Sequence, residues 1–199
     1  MADDGRPTVA FETSADWAAW LAEHHAETDG VWIKLAKAGR DIVSVSYAEA
    51  IDVALCYGWI DGQKRKLDDD HWLQGFTPRR ARSRWSRINR QKAEDLIAAG
   101  RMERAGLREV DRAKADGRWQ AAYDSARTAS VPADLQAALA ANPAAAACFA
   151  DLDGANRYAI LYRLQEAKKP DTRARRLTAF VEMLAKGERI HPVGRQPRG

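Results

Sequence analysis

The sequence predicts an α+β fold, in which a small antiparallel sheet with two helices is followed by a C-terminal helical bundle. Strand-like stretches rich in β-branched and aromatic residues occur only before residue 82. After Pro78 the apolar residues recur at helical spacing in one segment after another. Pro132, Pro143 and Pro170 each stand where a first helical position is expected, because a proline there loses no helical hydrogen bond.

The first predicted helix begins at Thr13 or Ser14, either of which can accept hydrogen bonds from the free N–H groups of the first turn. Apolar and aromatic residues then follow at the i, i+3, i+4, i+7 spacing of one helix face. Gly30 is a suitable end for this segment. The next residues, 31–35 (VWIKL), alternate and favour a strand.

The second predicted helix starts at Ser46, where Ser46 and Glu49 have the spacing of a capping box. Gly58 ends it. The stretches WIDGQKRKL and HWLQGFTP follow, separated by three aspartates at residues 68–70. This pattern predicts two strands of an antiparallel hairpin.

The rest of the chain is predicted to be helical, over residues 83–99, 101–115, 118–127, 132–141, 143–152, 155–168 and 170–186. The predicted organisation is an α/β subdomain over 11–82, a helical subdomain packed on it over 83–187, and flexible termini at 1–10 and 188–199.

Composition restricts the class of protein. The chain has 199 residues, of which 46% are hydrophobic and 30% charged, as expected for a soluble globular protein. No apolar run reaches the length of a transmembrane helix, so membrane insertion is not expected. The polar N-terminus lacks the features of a signal peptide, and two cysteines suit reduced thiols. We therefore expect a cytoplasmic protein.

The stretch CYGWIDGQKR, residues 56–65, is the first candidate site. On a strand, Trp59, Asp61 and Gln63 would share one face, because side chains alternate with period two. An aromatic ring beside a carboxylate and an amide could hold a flat polar ligand. The alternatives are that Trp59 packs in the core and that Asp61 forms a salt bridge or turn.

The second candidate is PRRARSRWSRINR, residues 78–90, which holds six arginines and no acid. Arg79 and Arg80 lie beside a predicted helix start, where free N–H groups and guanidinium groups favour an anion. Trp85 lies on the apolar stripe of this helix, and the candidate ligand-binding residues also include Ser86 and Asn89. Alternatively, the arginines are solvated or pair with the aspartates at 68–70, or they bind nucleic acid.

The third candidate is Arg173, in the basic stretch KKPDTRARR at the start of the last helix. Positive charge there opposes the helix dipole, so either a bound anion or a neighbouring acid such as Asp171 would compensate it. The sequence contains no G-x-S-x-G, H-E-x-x-H, Walker or paired C-x-x-C motif. No metal site and no cofactor are predicted, and catalytic residues are not assigned.

Four stretches resemble the YdeI/OmpD-associated family, also called bacteriocin-protection proteins: GVWIKLAK at 30–37, SYAEAIDVALCYGWIDGQ at 46–63, FTPRRARSRWSRINR at 76–90 and AKKPDTRARRLTAFVEMLAKG at 167–187. Their order and spacing cover nearly the whole chain. The resemblance implies a fold and a role in resisting envelope stress or antimicrobial peptides. It implies no catalytic residues.

Together these observations predict a non-enzymatic binding protein associated with stress or antimicrobial resistance. A cleft lined by tryptophan and arginine would bind a small anionic or aromatic ligand, and a protein partner is also compatible with the sequence. One alternative is an enzyme acting on a small anionic or heterocyclic substrate, with Asp61 as the general base. A second alternative is a nucleic-acid-binding protein.

Overall fold

The computed structural model describes residues 4–126 and 129–192. The chain forms two compact units, an N-terminal unit of residues 1–122 and a C-terminal unit of residues 123–199. Each unit has its own buried core, and each is described by itself.

A mixed four-stranded sheet forms the frame of the N-terminal unit. Its strands are β1 (Thr8–Ala10), β2 (Val31–Ala36), β3 (Trp59–Lys66) and β4 (His71–Pro78), in the order β1-β2-β4-β3. The β2–β4 and β3–β4 pairs are antiparallel, which confirms the predicted hairpin. The fold class is α+β as predicted.

Strand β1 corrects two details of the prediction. It pairs with β2 in parallel, so the sheet is mixed rather than purely antiparallel. It also lies within residues 1–10, which were predicted to be flexible. Three residues are too short for a periodic signal, and β1 is held by its partner strand, beginning with the bond from the Trp32 N–H to the Pro7 carbonyl at 2.8 Å.

Two helices cover one face of this sheet. Helix α1 (Ser14–His24) is capped by Thr13, and α2 (Tyr47–Cys56) is capped by Ser46; both caps are complete capping boxes. The Ser46 capping box is as predicted, because it depends on residues only three positions apart, and of the two residues predicted for the start of α1 Thr13 is the cap. The first core between helices and sheet contains Phe11, Trp17, Leu21, Val31, Ile33, Leu35, Val45, Ala50, Val53, Ala54, Trp59 and Phe76.

Two further helices, α3 (Arg87–Ala98) and α4 (Arg104–Ala115), complete the N-terminal unit. They share a second core with Leu55 and Cys56 at the end of α2. The predicted boundary between residues 82 and 83 therefore falls inside this unit. Helix α3 begins at Arg87 instead of residue 83, because Ser86 takes the capping position.

The predicted helix over 118–127 is not formed within 118–126, and Arg127 lies outside the described residues. After α4 the chain turns back, and the Trp119 N–H donates to the Ala113 carbonyl at 2.9 Å. The Trp119 ring then packs against Trp85 with 4.8 Å between ring centroids. Burial of this ring outweighs the local helical propensity.

The described residues of the C-terminal unit form four helices: α5 (Ala133–Ala140), α6 (Pro143–Ala150), α7 (Gly154–Glu166) and α8 (Pro170–Ala185). Pro143 and Pro170 are first helical residues as predicted, whereas Pro132 is the N-cap of α5. Its core contains Leu135, Leu139, Ala145, Phe149, Leu152, Ile160, Leu161, Leu164 and Leu184. The buried Asn156 side chain accepts a hydrogen bond from the His191 N–H at 2.8 Å. His191, which belongs to the predicted flexible tail of residues 188–199, is thus hydrogen-bonded to α7. Residues 193–199 lie outside the described residues. Among the helices of the described ranges, none is long and apolar enough to cross a membrane.

Candidate functional site

Trp59 is a core residue in this structure. Its ring is 1% exposed and makes edge contacts with Trp17 and Trp20, at centroid distances of 6.2 and 6.1 Å. Its Nε1–H donates to the His25 carbonyl at 3.2 Å. The ring and its polar atom are both satisfied inside the protein, so Trp59 presents no surface to a ligand.

A β-bulge separates Asp61 from the residues that follow it on β3. Asp61 pairs with Phe76, whereas Lys64 pairs with Gln74, so two residues fall in the irregular step. Because paired residues share a sheet face, Lys64 and Lys66 lie on the face of Asp61. Gln63 is exposed within the bulge. The structure therefore places a lysine where simple alternation predicted Gln63.

The buried Gln74 side chain holds this bulge. Its Nε2 group donates to the Gly62 carbonyl at 2.9 Å, the Gln63 carbonyl at 3.3 Å and the Gly75 carbonyl at 3.1 Å. Gln74 is only 3% exposed. Removal of this buried amide would take a hydrogen-bond donor from all three carbonyls, and a buried acceptor without a donor destabilises the fold.

Asp61 is engaged by the first residue of α2. Its Oδ2 accepts a hydrogen bond from the Tyr47 hydroxyl at 2.8 Å. Burial, followed by the neighbouring Asp61 carboxylate, raises the pKa of the Tyr47 hydroxyl above its ordinary value. The Tyr47 ring also lies 5.7 Å from the Trp72 ring. Asp61 thus orients Tyr47 against Trp72.

Arg79 and Trp85 form a buried pair, and Trp85 lies in a different core cluster from Trp59. The Arg79 guanidinium lies 3.5 Å from the centre of the Trp85 ring, and its Nη1 donates to the Arg84 carbonyl at 3.2 Å. Arg79 is 6% exposed and Trp85 is 1% exposed. Trp59 and Trp85 belong to separate core clusters, so these two rings do not line an open cleft together.

The polar residues of the arginine-rich stretch serve local structure. The Ser86 Oγ caps α3 and accepts the Asn89 N–H at 3.1 Å. The Arg80 N–H donates to the Ser83 Oγ at 2.9 Å in the preceding turn, and the Arg80 side chain is exposed. These contacts account for the backbone N–H groups of Arg80 and Asn89 at this helix start.

Arg173 links three helices of the C-terminal unit. Its Nε and Nη2 donate to the Asp134 carboxylate at 2.6 and 2.9 Å, and its Nη1 donates to the Leu164 carbonyl at 2.7 Å. The hydrogen bond from Arg173 lowers the pKa of the Asp134 carboxyl, although burial opposes this. The acid that compensates Arg173 is thus Asp134, from another helix, and not Asp171.

An open basic groove lies at the hairpin end of the sheet. It has a volume of about 500 Å³ and is lined by Lys37, Lys64, Arg65, Lys66 and Trp72. Lys66 and Trp72 are directly paired across β3 and β4. Four cations and one aromatic ring therefore surround a space that can hold a small ligand.

The four cations of this groove differ in their partners. Lys37 Nζ donates to the carbonyls of Asp68 and Asp69, at 2.8 and 3.0 Å, and so fixes the hairpin turn. Arg65 pairs with Asp4 at 3.1 Å. Lys64 and Lys66 form no ion pair with the part of the chain that the structure describes. These two ammonium groups are the ones available to an anion.

The chain has two family matches. The first covers residues 9–109, about half of the chain, and is described as a domain of unknown function (DUF8412). The second covers residues 128–187 and is described as bacteriocin-protection, YdeI or OmpD-associated. The chain belongs to the DUF8412 family, and its residues 128–187 match the YdeI/OmpD-associated family. The second match confirms, over residues 128–187, the resemblance predicted from the sequence. No curated protein and no solved structure matches the chain significantly.

The groove of this DUF8412 family member lies in the first matched segment, whereas Arg173 lies in the second. Sequence reasoning missed the groove because only the bulge brings Lys64 and Lys66 to one face with Trp72. The available signal was the run Lys64-Arg65-Lys66 next to a predicted hairpin turn. Over residues 4–126 and 129–192, no group of three or more metal-ligating side chains forms a site.

Proposed function

We propose that this chain is a cytoplasmic binding protein associated with stress or antimicrobial resistance, and that its basic groove binds a small anionic, aromatic ligand. The observation that supports this function best is the groove of about 500 Å³ with Lys64 and Lys66 beside Trp72. The proposal keeps the ligand class predicted from the sequence. It moves the site from Trp59 and Trp85, which are buried, to Trp72.

The chemistry of the groove supports an anion that carries a ring. Within the part of the chain that the structure describes, two ammonium groups of the groove have no ion-pair partner and attract negative charge, and no acidic side chain lines the groove. Trp72 is half-buried, and Tyr47 supports its ring at 5.7 Å. A held aromatic ring offers a flat face for stacking. An inorganic ion would leave this face unused.

The cellular role in the proposal comes from the family and the cysteines. The description of the second family match names bacteriocin protection. Cys56 and Cys148 are both free thiols, as is usual in a reducing compartment. A protein with these features could protect the cell by binding a small molecule formed or taken up under stress.

The test is a calorimetric titration of the full chain with 1-naphthyl phosphate, compared with neutral 1-naphthol. We expect the double substitution Lys64→Met and Lys66→Met to weaken phosphate binding at least about tenfold, because two charge-assisted contacts are removed. Trp72→Ala should weaken both probes, since the ring stacks on either.

The matched control is Lys34→Met. Lys34 lies on the adjacent strand β2 and pairs with Leu73, so it points to the opposite face of the same sheet. It should bind both probes like the parent chain. Equal losses in the control and in the double variant, or no measurable binding by the parent, would refute the groove as the site.

A nucleic-acid role has one supporting observation, which is the run Lys64-Arg65-Lys66 beside Trp72, in which both lysines are exposed. A single-stranded oligonucleotide added to the same variants tests it. Binding that is stronger than that of naphthyl phosphate and that falls steeply with salt concentration would favour nucleic acid over a small ligand.

The enzyme alternative depends on Asp61. Its Oδ2 already accepts the Tyr47 hydrogen bond, so a proton taken from a substrate would pass to a carboxylate that also orients Tyr47 beside Trp72. Turnover that is lost in Asp61→Asn while naphthyl phosphate binding is retained would support this alternative.

A further inference from the structure

A second cavity in the N-terminal unit lies between helices α1, α2 and α4. Its volume is about 380 Å³. Polar side chains from all three regions line it: His25 follows α1, Tyr57 follows α2, and Glu103, Arg104 and Arg108 lie at the start of α4. No part of the basic groove contributes to it.

The backbone around this cavity is held in place by close approaches. A Cβ on Gly106 would lie 2.3 Å from the Cys56 carbonyl oxygen, and a Cβ on Gly58 would lie 3.0 Å from the Ala105 carbonyl oxygen. The Glu103 N–H also donates to the Cys56 carbonyl at 3.1 Å. Helix α4 therefore starts directly against the end of α2, which fixes Tyr57 relative to the charged residues of α4.

His25 and Tyr57 form the aromatic side of the cavity. Their rings lie 5.5 Å apart. The His25 Nδ1 lies 2.8 Å from the Leu21 carbonyl oxygen, and because a carbonyl only accepts, Nδ1 carries the proton. Burial, and then the Glu103 carboxylate, raise the pKa of the Tyr57 hydroxyl.

The charged side of the cavity carries both signs. Arg104 and Arg108 are four residues apart on α4, so they lie on one face of the helix. Glu103 is the N-cap residue of α4, but its carboxylate makes no capping hydrogen bond. None of the three forms an ion pair with a residue in the described ranges. The site thus offers two guanidinium groups and one carboxylate to a ligand.

We propose that this cavity binds a small zwitterion of amino-acid size that carries an aromatic group. The ligand carboxylate is bound by Arg104 and Arg108, whose forked guanidinium groups match carboxylate oxygens. The ligand ammonium is bound by Glu103, and the ligand ring packs on Tyr57 and His25. A dianion such as a phosphate monoester is disfavoured, because it would meet the Glu103 carboxylate.

Three probes that differ only in charge test this site: phenylalanine, 3-phenylpropanoate, which lacks the amine, and phenethylamine, which lacks the carboxylate. Each is titrated into the full isotope-labelled chain, and amide and side-chain NMR shifts are followed. We expect phenylalanine to shift resonances of His25, Tyr57 and the start of α4. At these same resonances, the two singly charged probes should bind at least about tenfold more weakly.

Variants then assign the charges. Arg104→Met with Arg108→Met should weaken phenylalanine at least about tenfold and leave phenethylamine unchanged, whereas Glu103→Gln should weaken phenylalanine and leave 3-phenylpropanoate unchanged. All three positions are exposed, so the fold is expected to persist, and the dispersion of the NMR spectrum verifies it. Lys64→Met with Lys66→Met is the control, and it should bind phenylalanine like the parent.

Several results would overturn this proposal. One is the absence of shifts at His25 and Tyr57 with phenylalanine. Another is 3-phenylpropanoate binding that is as tight as that of phenylalanine at the resonances of His25, Tyr57 and the start of α4, which would make this cavity a simple anion site. A third is loss of phenylalanine binding in the Lys64 and Lys66 control, which would place the ligand in the groove. Because the probes and variants differ, failure here is distinguishable from failure of the groove proposal.

Discussion

Gln74 is the single residue on which the shape of the basic groove depends most. It is buried, it pairs with Lys64 across the hairpin, and its amide donates to both carbonyls of the bulge at Gly62 and Gln63. The bulge in turn places Lys64 and Lys66 on the face of Trp72. The buried Gln74 side chain, which is not part of the groove lining, thus positions two lysines that are.

We expect Gln74→Leu to lower the free energy of unfolding by about 1–3 kcal/mol, because carbonyls beside a buried site lose their donor. It should also weaken naphthyl phosphate binding by altering the bulge. Chemical denaturation and the calorimetric titration measure the two effects. Gln63→Leu is the matched control, since only the Gln63 backbone is used, and the prediction would be wrong if both variants were equally stable.

At the residue scale, the sequence predicted the features that depend on residues a few positions apart in the chain. Ser46 caps α2 as predicted, and Thr13 is one of the two residues predicted for α1, because the partner of each cap is three residues away. The sheet face predicted for the Gln63 side chain was wrong, because strict alternation along a strand contains no information about a bulge. For Trp59, the pattern left core and ligand platform open, and its contacts with Trp17 and Trp20 place it in the core.

At the element scale, the approach of α4 to α2 organises the second half of the N-terminal unit. Gly106 lies where α4 meets the last carbonyls of α2, Leu55 and Cys56, and there is no room for a side chain. This contact forms one wall of the second core and also supports the cavity between α1, α2 and α4. Helix α4 depends on it, because the N-cap Glu103 supplies no side-chain hydrogen bond.

Gly106→Ala should therefore destabilise the protein by about 1–3 kcal/mol, because overpacking forces the two helices apart. Gly154→Ala, at the first residue of α7, is the control: a Cβ there meets nothing within 4 Å. That control should be neutral or stabilising by up to about 1 kcal/mol. Thermal unfolding followed by circular dichroism measures both, and equal stabilities for the two variants would contradict the packing argument.

Elements also differ in how far the sequence predicts them. Helices α5 to α8 are long or clearly marked by proline, and they lie within a few residues of the predicted ranges. Strand β1 has three residues and no pattern of its own, so its existence depends on β2. The segment after α4 has helical propensity, but Trp119 gains more by packing on Trp85 than by continuing a helix.

At the scale of the whole molecule, the chain consists of two units with separate cores. All seven tryptophans lie in the N-terminal unit, at residues 17, 20, 32, 59, 72, 85 and 119. Tryptophan fluorescence consequently reports on the N-terminal unit alone, whereas far-ultraviolet circular dichroism reports on both. The two signals can be used to follow the units separately.

We expect residues 1–122, produced alone, to fold and to keep the tryptophan emission of the full chain, because both of its apolar cores are contributed by its own residues. Emission spectra and denaturant titrations of the fragment and of the full chain measure this. A fragment with the emission of solvent-exposed tryptophan, or without a cooperative transition, would show that the unit needs the rest of the chain.

The sequence by itself determined the α+β class, the hairpin, the helix caps, the four C-terminal helices and the family. These depend on patterns within a few residues or on motifs that extend along the chain. Only the tertiary structure decided which tryptophans are core, which acid compensates Arg173, and where basic side chains meet an accessible ring. Those outcomes depend on contacts between distant residues, such as Gln74 with Gly62 and Arg173 with Asp134, which the linear order of the chain does not specify.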